Sequence, residues 1–363
     1  MNVLEFDYDL PAERIAQRPL VERDASRMLL LDRCSGAWED RQFANFPDLL
    51  RGNEIIVVNN VRVLPARLFG RRAGIHSEKP SRNSPTRSEF LTTTIEVLLV
   101  RQVAPDTWET LVRPGRKVPV GERIVFGEGE LEALVEARSD YGVRVLRFTS
   151  KNGLHEALGR LGHIPLPPYI KREDDSADRE RYQTVFARRG CAVAAPTAGL
   201  HFTPKILNRL NERGIEIAEL TLEVGLGTFE PVRTEQLEEH KIHTEAYEIP
   251  ETTAAALGRA RRENRPVLAI GTTVVRALED AAEKNTGRPE PVAAGKAEAD
   301  IFLYPGKSFR CVNQLLTNFH LPRSTLLAMV GAFAGCENVL RAYRHAVDSG
   351  YRFYSYGDSM FIR

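Results

Sequence analysis

The sequence has almost no net charge. Lysine and arginine together number 50 and aspartate and glutamate 49, which leaves +1 at pH 7 with histidine neutral. That balance excludes a uniform basic coat for non-specific nucleic-acid binding and leaves room only for a local basic face. Cysteine is scarce. Cys34, Cys191, Cys311 and Cys336 include no C-x-x-C pair, so neither a disulfide framework nor a zinc ribbon is indicated and reduced thiols are expected. No apolar run is long enough to span a bilayer. The acidic start Met1-Asn2-Val3-Leu4-Glu5-Phe6-Asp7 lacks the apolar stretch of a secretory signal. A cytoplasmic protein without a membrane partner is expected.

Two nucleotide fingerprints are also missing. Gly225-Leu226-Gly227 lacks the third glycine and the strand–turn–helix setting of a dinucleotide site, and Pro231 follows it. The absence of a glycine-rich strand–helix signature counts against an ordinary methyltransferase as well. Pro305-Gly306-Lys307-Ser308 imitates the end of a phosphate-binding loop, but Ile301 occupies the place of its first glycine. Lysine is outnumbered by arginine, whose rigid fork suits phosphate and carboxylate.

The 363 residues, 42% hydrophobic and 27% charged, suffice for two globular domains. Runs at Leu64–Gly70, Thr94–Arg101, Trp108–Arg113, Glu122–Phe126, Leu131–Ala137 and Gly142–Phe148 read as short strands separated by turn signals. Their spacing predicts a small antiparallel barrel. Residues 76–89, rich in Ser, Pro, Arg and Asn, read as a mobile insertion. Elsewhere helices and strands alternate. The fold class expected is an α/β (mixed α+β) main domain, residues 1–62 and 151–363, with an inserted six-stranded antiparallel β-barrel, residues 63–150. Further expected elements are a short helix at Leu10–Gln17, a strand at Ile301–Tyr304 and a tyrosine-rich strand at Tyr351–Ile362 broken at Gly357-Asp358. The charge run Asp174–Arg181 reads as a solvated helix face.

The most informative stretch is Ala194–Thr203. It is turn-rich, nearly uncharged and carries His201; Thr203 and Pro204 then read as a helix cap and first position, with Gly214 as the stop. Gly271-Thr272-Thr273 follows an apolar strand and opens a helix, an arrangement that attracts carboxylate or phosphate. Asn318-Phe319-His320 offers an amide, a ring and an imidazole before a capped helix, suited to a flat base. His240 and His243 lack a third metal ligand nearby, and no metal site is expected. Arg62 and Arg67 at the entry to the barrel, and Lys171, Arg172 and Arg181 beyond its exit, would suit phosphates of a nucleic acid.

Taken together, these stretches are recognisable. Arg23–Arg27, Pro65–Leu68, Asp178–Val185, Ala194–Phe202, Val224–Phe229, Gly271–Thr273, Tyr304–Gly306, Thr317–Pro322 with Ser324–Leu326, and Tyr356–Asp358 occur in the right order along nearly the whole length. In them the chain resembles the S-adenosylmethionine:tRNA ribosyltransferase-isomerases of queuosine biosynthesis. The resemblance implies transfer and isomerisation of the ribosyl group of S-adenosylmethionine onto 7-aminomethyl-7-deazaguanine at the tRNA wobble position. Epoxyqueuosine-tRNA, adenine and methionine are the products. S-adenosylmethionine is a co-substrate, no prosthetic group is needed, and a monomer is expected. On this reading His201 is the first acid/base residue, with Tyr182, Asp358 and His320 behind it. Thr197, Gly199, Phe202, Gly225, Gly227, Thr228, Phe229, Gly271, Thr272, Thr273, Asn318 and Phe319 would hold S-adenosylmethionine. Glu223 stands where the family commonly has histidine. A tRNA-binding protein that kept the scaffold without the activity is the alternative.

Overall fold

The computed structural model describes residues 1–74, 93–139, 142–225, 232, 234–240 and 242–363. Residues 76–89, and Gly227, Thr228 and Phe229 of the expected ligand site, lie outside the described residues. The chain forms two compact units. One comprises Met1–Arg62, Pro167–Glu173 and Glu180–Arg363; the other comprises Val63–Leu166 and Asp174–Arg179.

The second unit holds a closed barrel of six antiparallel strands in the order Val143–Ser150, Thr107–Arg113, Thr94–Ala104, Arg67–Arg72, Arg123–Phe126, Leu131–Arg138. Alternation explains it. In Thr94–Ala104 the side chains of Ile95, Val97 and Leu99 are buried and their neighbours are not, so one face fills the interior. Closure leaves no sheet edge open to another chain.

The first unit is built on a nine-stranded sheet. Its order is Gly295–Ala299, Glu245–Ile249, Glu216–Leu222, Ile55–Asn59, Val267–Ile270, Gln314–Asn318, Ser359–Ile362, Arg27–Leu31, Trp38–Gln42. The four strands from Glu216–Leu222 to Gln314–Asn318 run parallel. The two in the middle, Ile55–Asn59 and Val267–Ile270, are apolar almost throughout because both faces are covered, whereas Glu216–Leu222 alternates. Ile55, Val57, Val267 and Ala269 enter one core, against helices Thr272–Lys284 and Thr325–Ala334. Ile56, Val58, Leu268 and Ile270 enter the other, with Phe43, Phe46, Phe202 and helix Pro204–Glu212. Thr203 caps that helix, its hydroxyl accepting the Ile206 N–H at 3.2 Å, and Pro204 opens it, as the sequence predicts.

Some expected elements are absent or shorter. The tyrosine-rich strand is confined to Ser359–Ile362. Before it, the Asp358 carboxylate accepts the Arg352 N–H at 2.8 Å and folds the segment back on itself. Ile301–Tyr304 is not a strand; the edge position belongs to Gly295–Ala299, which pairs with Glu245–Ile249 despite weak β-propensity. Leu10–Gln17 supplies only the turn Ala12–Arg14, because Pro11 precedes it and no helical apolar face follows. The charge run yields a single turn, Asp178–Arg181, in which Asp178 is buried and accepts the Asp175 N–H at 2.9 Å.

Candidate active site

In parallel sheets, ligands sit beyond the carboxyl ends of the strands, where loops diverge. A cleft lies there in the first unit. Ile270 passes into Gly271-Thr272-Thr273, Asn318 into Phe319-His320, and Leu222 toward Val224, and all three exits line it. The turn Ala195–Ala198 and the residues Tyr169, Tyr354 and Ser355 complete the wall. Among the described residues this wall carries no lysine, arginine, aspartate or glutamate. Hydroxyls, an amide and an imidazole supply its polarity.

Gly271 adopts φ +92°, a conformation that costs a side-chain-bearing residue strain. Its N–H is held by the Leu316 carbonyl at 2.8 Å, and the helix Thr272–Lys284 begins at the next residue. The first N–H groups of any helix lack intrahelical acceptors and carry its positive dipole end. Thr272 and Thr273 therefore bring amides and hydroxyls to the cleft. Thr273 Oγ1 is 3.5 Å from Asn59 Nδ2. Asn59 ties the strand ends together, bonding both the N–H and the carbonyl of Leu222.

His201 ends the tight turn Thr197–His201 and is only 4% exposed. Its Nδ1 lies 2.7 Å from Ser26 Oγ and its Nε2 3.3 Å from Asn318 Nδ2. The Asn318 amide nitrogen also donates to the carbonyls of Tyr354 at 3.1 Å and Asp358 at 3.4 Å, which sets its orientation. Nε2 of His201 therefore accepts, and Nδ1 carries the proton toward Ser26. Burial, followed by the charges of Arg23 and Arg352, lowers the pKa of His201 to about 3. The ring is uncharged at neutral pH. It stands one hydrogen bond behind the cleft wall, and on its other side lines a smaller concavity with Arg23, Ser26 and Arg181.

Asn318 is the link between His201 and the cleft. It is 2% exposed, and its Oδ1 has no hydrogen-bond partner among the described residues. His320, on the same loop, lines the cleft directly; its Nε2 is 2.8 Å from Thr317 Oγ1 and burial lowers its pKa to about 3.

The other expected site residues divide clearly. Thr197 lines the cleft. Gly199 and Phe202 face the core: a Cβ on Gly199 would meet Thr184 Cγ2 at 2.8 Å, and Phe202 packs against Phe43, Phe46 and Phe186. The Gly225 N–H donates to Glu245 Oε1 at 2.9 Å. Phe319 backs the wall from inside, ringed by Tyr343, Tyr351 and Phe353. Tyr182 is buried edge-on to Tyr356. The two carboxylate oxygens of Asp358 accept the N–H groups of Arg27 and Arg352, at 2.9 and 2.8 Å, so this acid anchors backbone. Its pKa is raised by burial, against those hydrogen bonds. Glu223 is exposed between buried Leu222 and Val224 and does not line the cleft.

Among the basic residues, Arg62 and Lys171 are exposed. Arg67 pairs with Glu96 at 2.7 Å. Arg172 donates to the Gln17 carbonyl at 2.9 Å, and Arg181 to the carbonyls of Val21 and Leu20 at 3.1 and 2.6 Å. Sequence reading missed Ser26, Tyr169 and Tyr354. The two tyrosine rings lie 4.5 Å apart in the cleft wall, and Tyr354 holds φ +70°, an unusual conformation for a bulky residue. The repeated tyrosines of 351–356 were the available signal, but at mixed parity they read as core or sheet-face residues of a strand.

Comparison with known proteins identifies the family. Residues 3–362 match the family model described as "Queuosine biosynthesis protein". A relative from Solibacter usitatus named S-adenosylmethionine:tRNA ribosyltransferase-isomerase is 54% identical, with 100% of both chains covered. A relative of the same name from Moorella thermoacetica is 50% identical, again over 100% of both. The crystal structure of S-adenosylmethionine tRNA ribosyltransferase from Thermotoga maritima aligns with a TM-score of 0.53 at 35% identity, covering 99% of this chain and 100% of that one. The chain is therefore an enzyme of the queuosine biosynthesis protein family, the family of the S-adenosylmethionine:tRNA ribosyltransferase-isomerases.

Proposed function

We propose that this enzyme transfers and isomerises the ribosyl moiety of S-adenosylmethionine onto the aminomethyl group of 7-aminomethyl-7-deazaguanine at the wobble position of tRNA. Adenine and methionine leave, and an epoxycyclopentanediol remains on the base. The observation that carries this reading is the cleft at the carboxyl ends of the parallel strands, whose wall carries no ionised side chain among the described residues. A sulfonium is a fixed cation, and its adjacent carbon acids are acidified by that charge. A wall without ionised side chains neither repels the cation nor quenches it. The low-dielectric setting preserves its effect on the neighbouring C–H bonds.

Burial supports the same assignment for the histidines. A general base must enter unprotonated, and both His201 and His320 are neutral at pH 7. We assign proton transfer to His201, with His320 nearest the ligand as the second carrier, and Asn318 positions the His201 ring by its hydrogen bond to Nε2. Tyr182 and Asp358 shape the surroundings of these groups. Thr197, Thr272 and Thr273 bind the ligand by their hydroxyls and by the helix N-terminus, while Tyr169 and Tyr354 offer it aromatic surface. Gly227, Thr228 and Phe229 remain assigned to S-adenosylmethionine on the family motif. Arg62 and Lys171, exposed, take tRNA phosphates. The enzyme acts as a cytoplasmic monomer.

One assay tests the reading. The protein is incubated with S-adenosylmethionine and tRNA carrying the aminomethyl deazaguanine. Adenine and methionine in equal amounts are expected. S-adenosylhomocysteine would replace the reading with methyl transfer, and tRNA binding without turnover would replace it with a non-catalytic module.

A further inference from the structure

A second concavity borders the cleft and shares Thr272, Thr273 and Leu326 with it. Its remaining wall includes His243, Glu245, Arg276 and Phe302. Thr272, Thr273 and Arg276 are spaced i, i+1 and i+4 on helix Thr272–Lys284, so Arg276 lies on the same face as the two threonines. Helical side chains lean toward the N-terminus, which brings the guanidinium level with the first turn.

Arg276 is only 5% exposed. Its Nη1 pairs with Glu245, and its Nη2 donates to the carbonyls of His243 at 3.0 Å and Ala299 at 3.1 Å. Its Nε–H has no partner among the described residues. Buried N–H groups are costly to leave unmade, above all on a charged group. A buried donor without a partner, on a residue that lines a concavity beside a helix N-terminus, can be met by an acceptor from outside the protein. Glu245 cancels the formal charge of Arg276, so what remains is the dipole of the helix and one directed donor. That suits a single negative charge. A phosphate dianion would meet the Glu245 carboxylate in the same wall.

We infer that this concavity is the subsite for the α-carboxylate of an amino-acid group, and that Arg276 is the residue that selects ligands bearing it. The inference rests on S-adenosylmethionine being the ligand of the adjoining cleft, and it deepens that reading. The nucleoside then occupies the uncharged cleft while the amino-acid end passes Thr272 and Thr273 into the concavity. Glu245 acts as a positioning residue: it holds the guanidinium so that Nε faces the carboxylate and the planar fork is spent on the protein.

The test compares S-adenosylmethionine with decarboxylated S-adenosylmethionine by calorimetric titration of the full-length wild-type enzyme. The two ligands keep the same sulfonium and nucleoside and differ only in the carboxylate. Decarboxylated ligand is expected to bind about 30-fold more weakly, as fits loss of a charge-assisted hydrogen bond. In Arg276→Lys, which keeps the charge but lacks the Nε–H, the difference is expected to shrink to below about 5-fold. Competition by free L-methionine against 3-(methylthio)propylamine on the wild type repeats the comparison without any variant, so a poorly folding Arg276→Lys does not decide the matter. Equal binding of both sulfonium ligands overturns the subsite and leaves the proposed function standing. Binding of neither overturns both.

Discussion

Two glycine-bearing turns flank the cleft, and they differ in what their glycines are for. At Gly271 the backbone requires φ +92°, and a Cβ would find only ordinary contact, Ala198 Cβ at 3.6 Å. At Gly199 the reverse holds: no positive φ is needed, but Thr184 Cγ2 would stand 2.8 Å from a Cβ. The first turn therefore shapes a helix entrance that leaves amides and hydroxyls open to a ligand. The second lets a turn pack tightly enough to bury an imidazole with both nitrogens bonded. One turn binds. The other holds a titratable group in one protonation state.

Four experiments would break or sharpen that comparison. The largest expected effect is on rate: His201→Gln should slow single-turnover ribosyl transfer by about a hundred- to ten-thousand-fold, the usual range for an acid/base group. A rate equal to wild type would remove His201 from the chemistry.

Acid stability comes next. The folded-state pKa values of His201 and His320 are about 3, below the value near 6.5 of an unfolded histidine. Between those values the unfolded state binds more protons, so stability falls as pH falls, and above about 6.5 the histidines contribute no slope. By about pH 5 the loss should reach about 2 kcal/mol per histidine, to order of magnitude. Urea midpoints of wild type and His201→Gln at about pH 7 and about pH 5 check this. Equal slopes in the two proteins would mean that His201 is not the buried neutral group described above.

The glycines themselves come third. Gly199→Ala should cost about 1–3 kcal/mol by overpacking against Thr184. Gly271→Ala should cost about 1–2 kcal/mol through backbone strain. Only Gly271→Ala should also weaken S-adenosylmethionine binding, since the helix N-terminus moves with it. A matching loss of affinity in both variants would erase the distinction between the turns. The smallest effect is expected of Thr273→Val, which removes one hydroxyl from the cleft and should weaken S-adenosylmethionine binding by about threefold to tenfold. Unchanged affinity would take that hydroxyl out of the site.

Much of this was legible in the chain. The six barrel strands announce themselves because a two-residue period with turn signals between runs has few other solutions. The helix after Gly271 and the cap at Thr203 follow from local chemistry that needs no distant partner. The tyrosines near the C-terminus misled for the opposite reason: whether they alternate as a strand or loop around a buried carboxylate depends on Asp358 reaching Arg27 and Arg352, and Arg27 is far away in sequence.

By itself, then, the sequence determined the fold class, the order of its elements, the family and the turn that carries His201. These depend on periodicity, capping and motifs, all of them local. Only the tertiary structure decided which motif residues line the cleft. It sent Gly199 and Phe202 to packing and Asp358 to anchoring backbone. It brought Ser26 and Asn318 to the two nitrogens of one ring, across separations of 175 and 117 residues. It also left Arg276 with one buried donor unpartnered among the described residues, on the wall beside the cleft. Side-chain direction and desolvation are set by neighbours that meet only when the sheet assembles, and no local pattern in the chain encodes them.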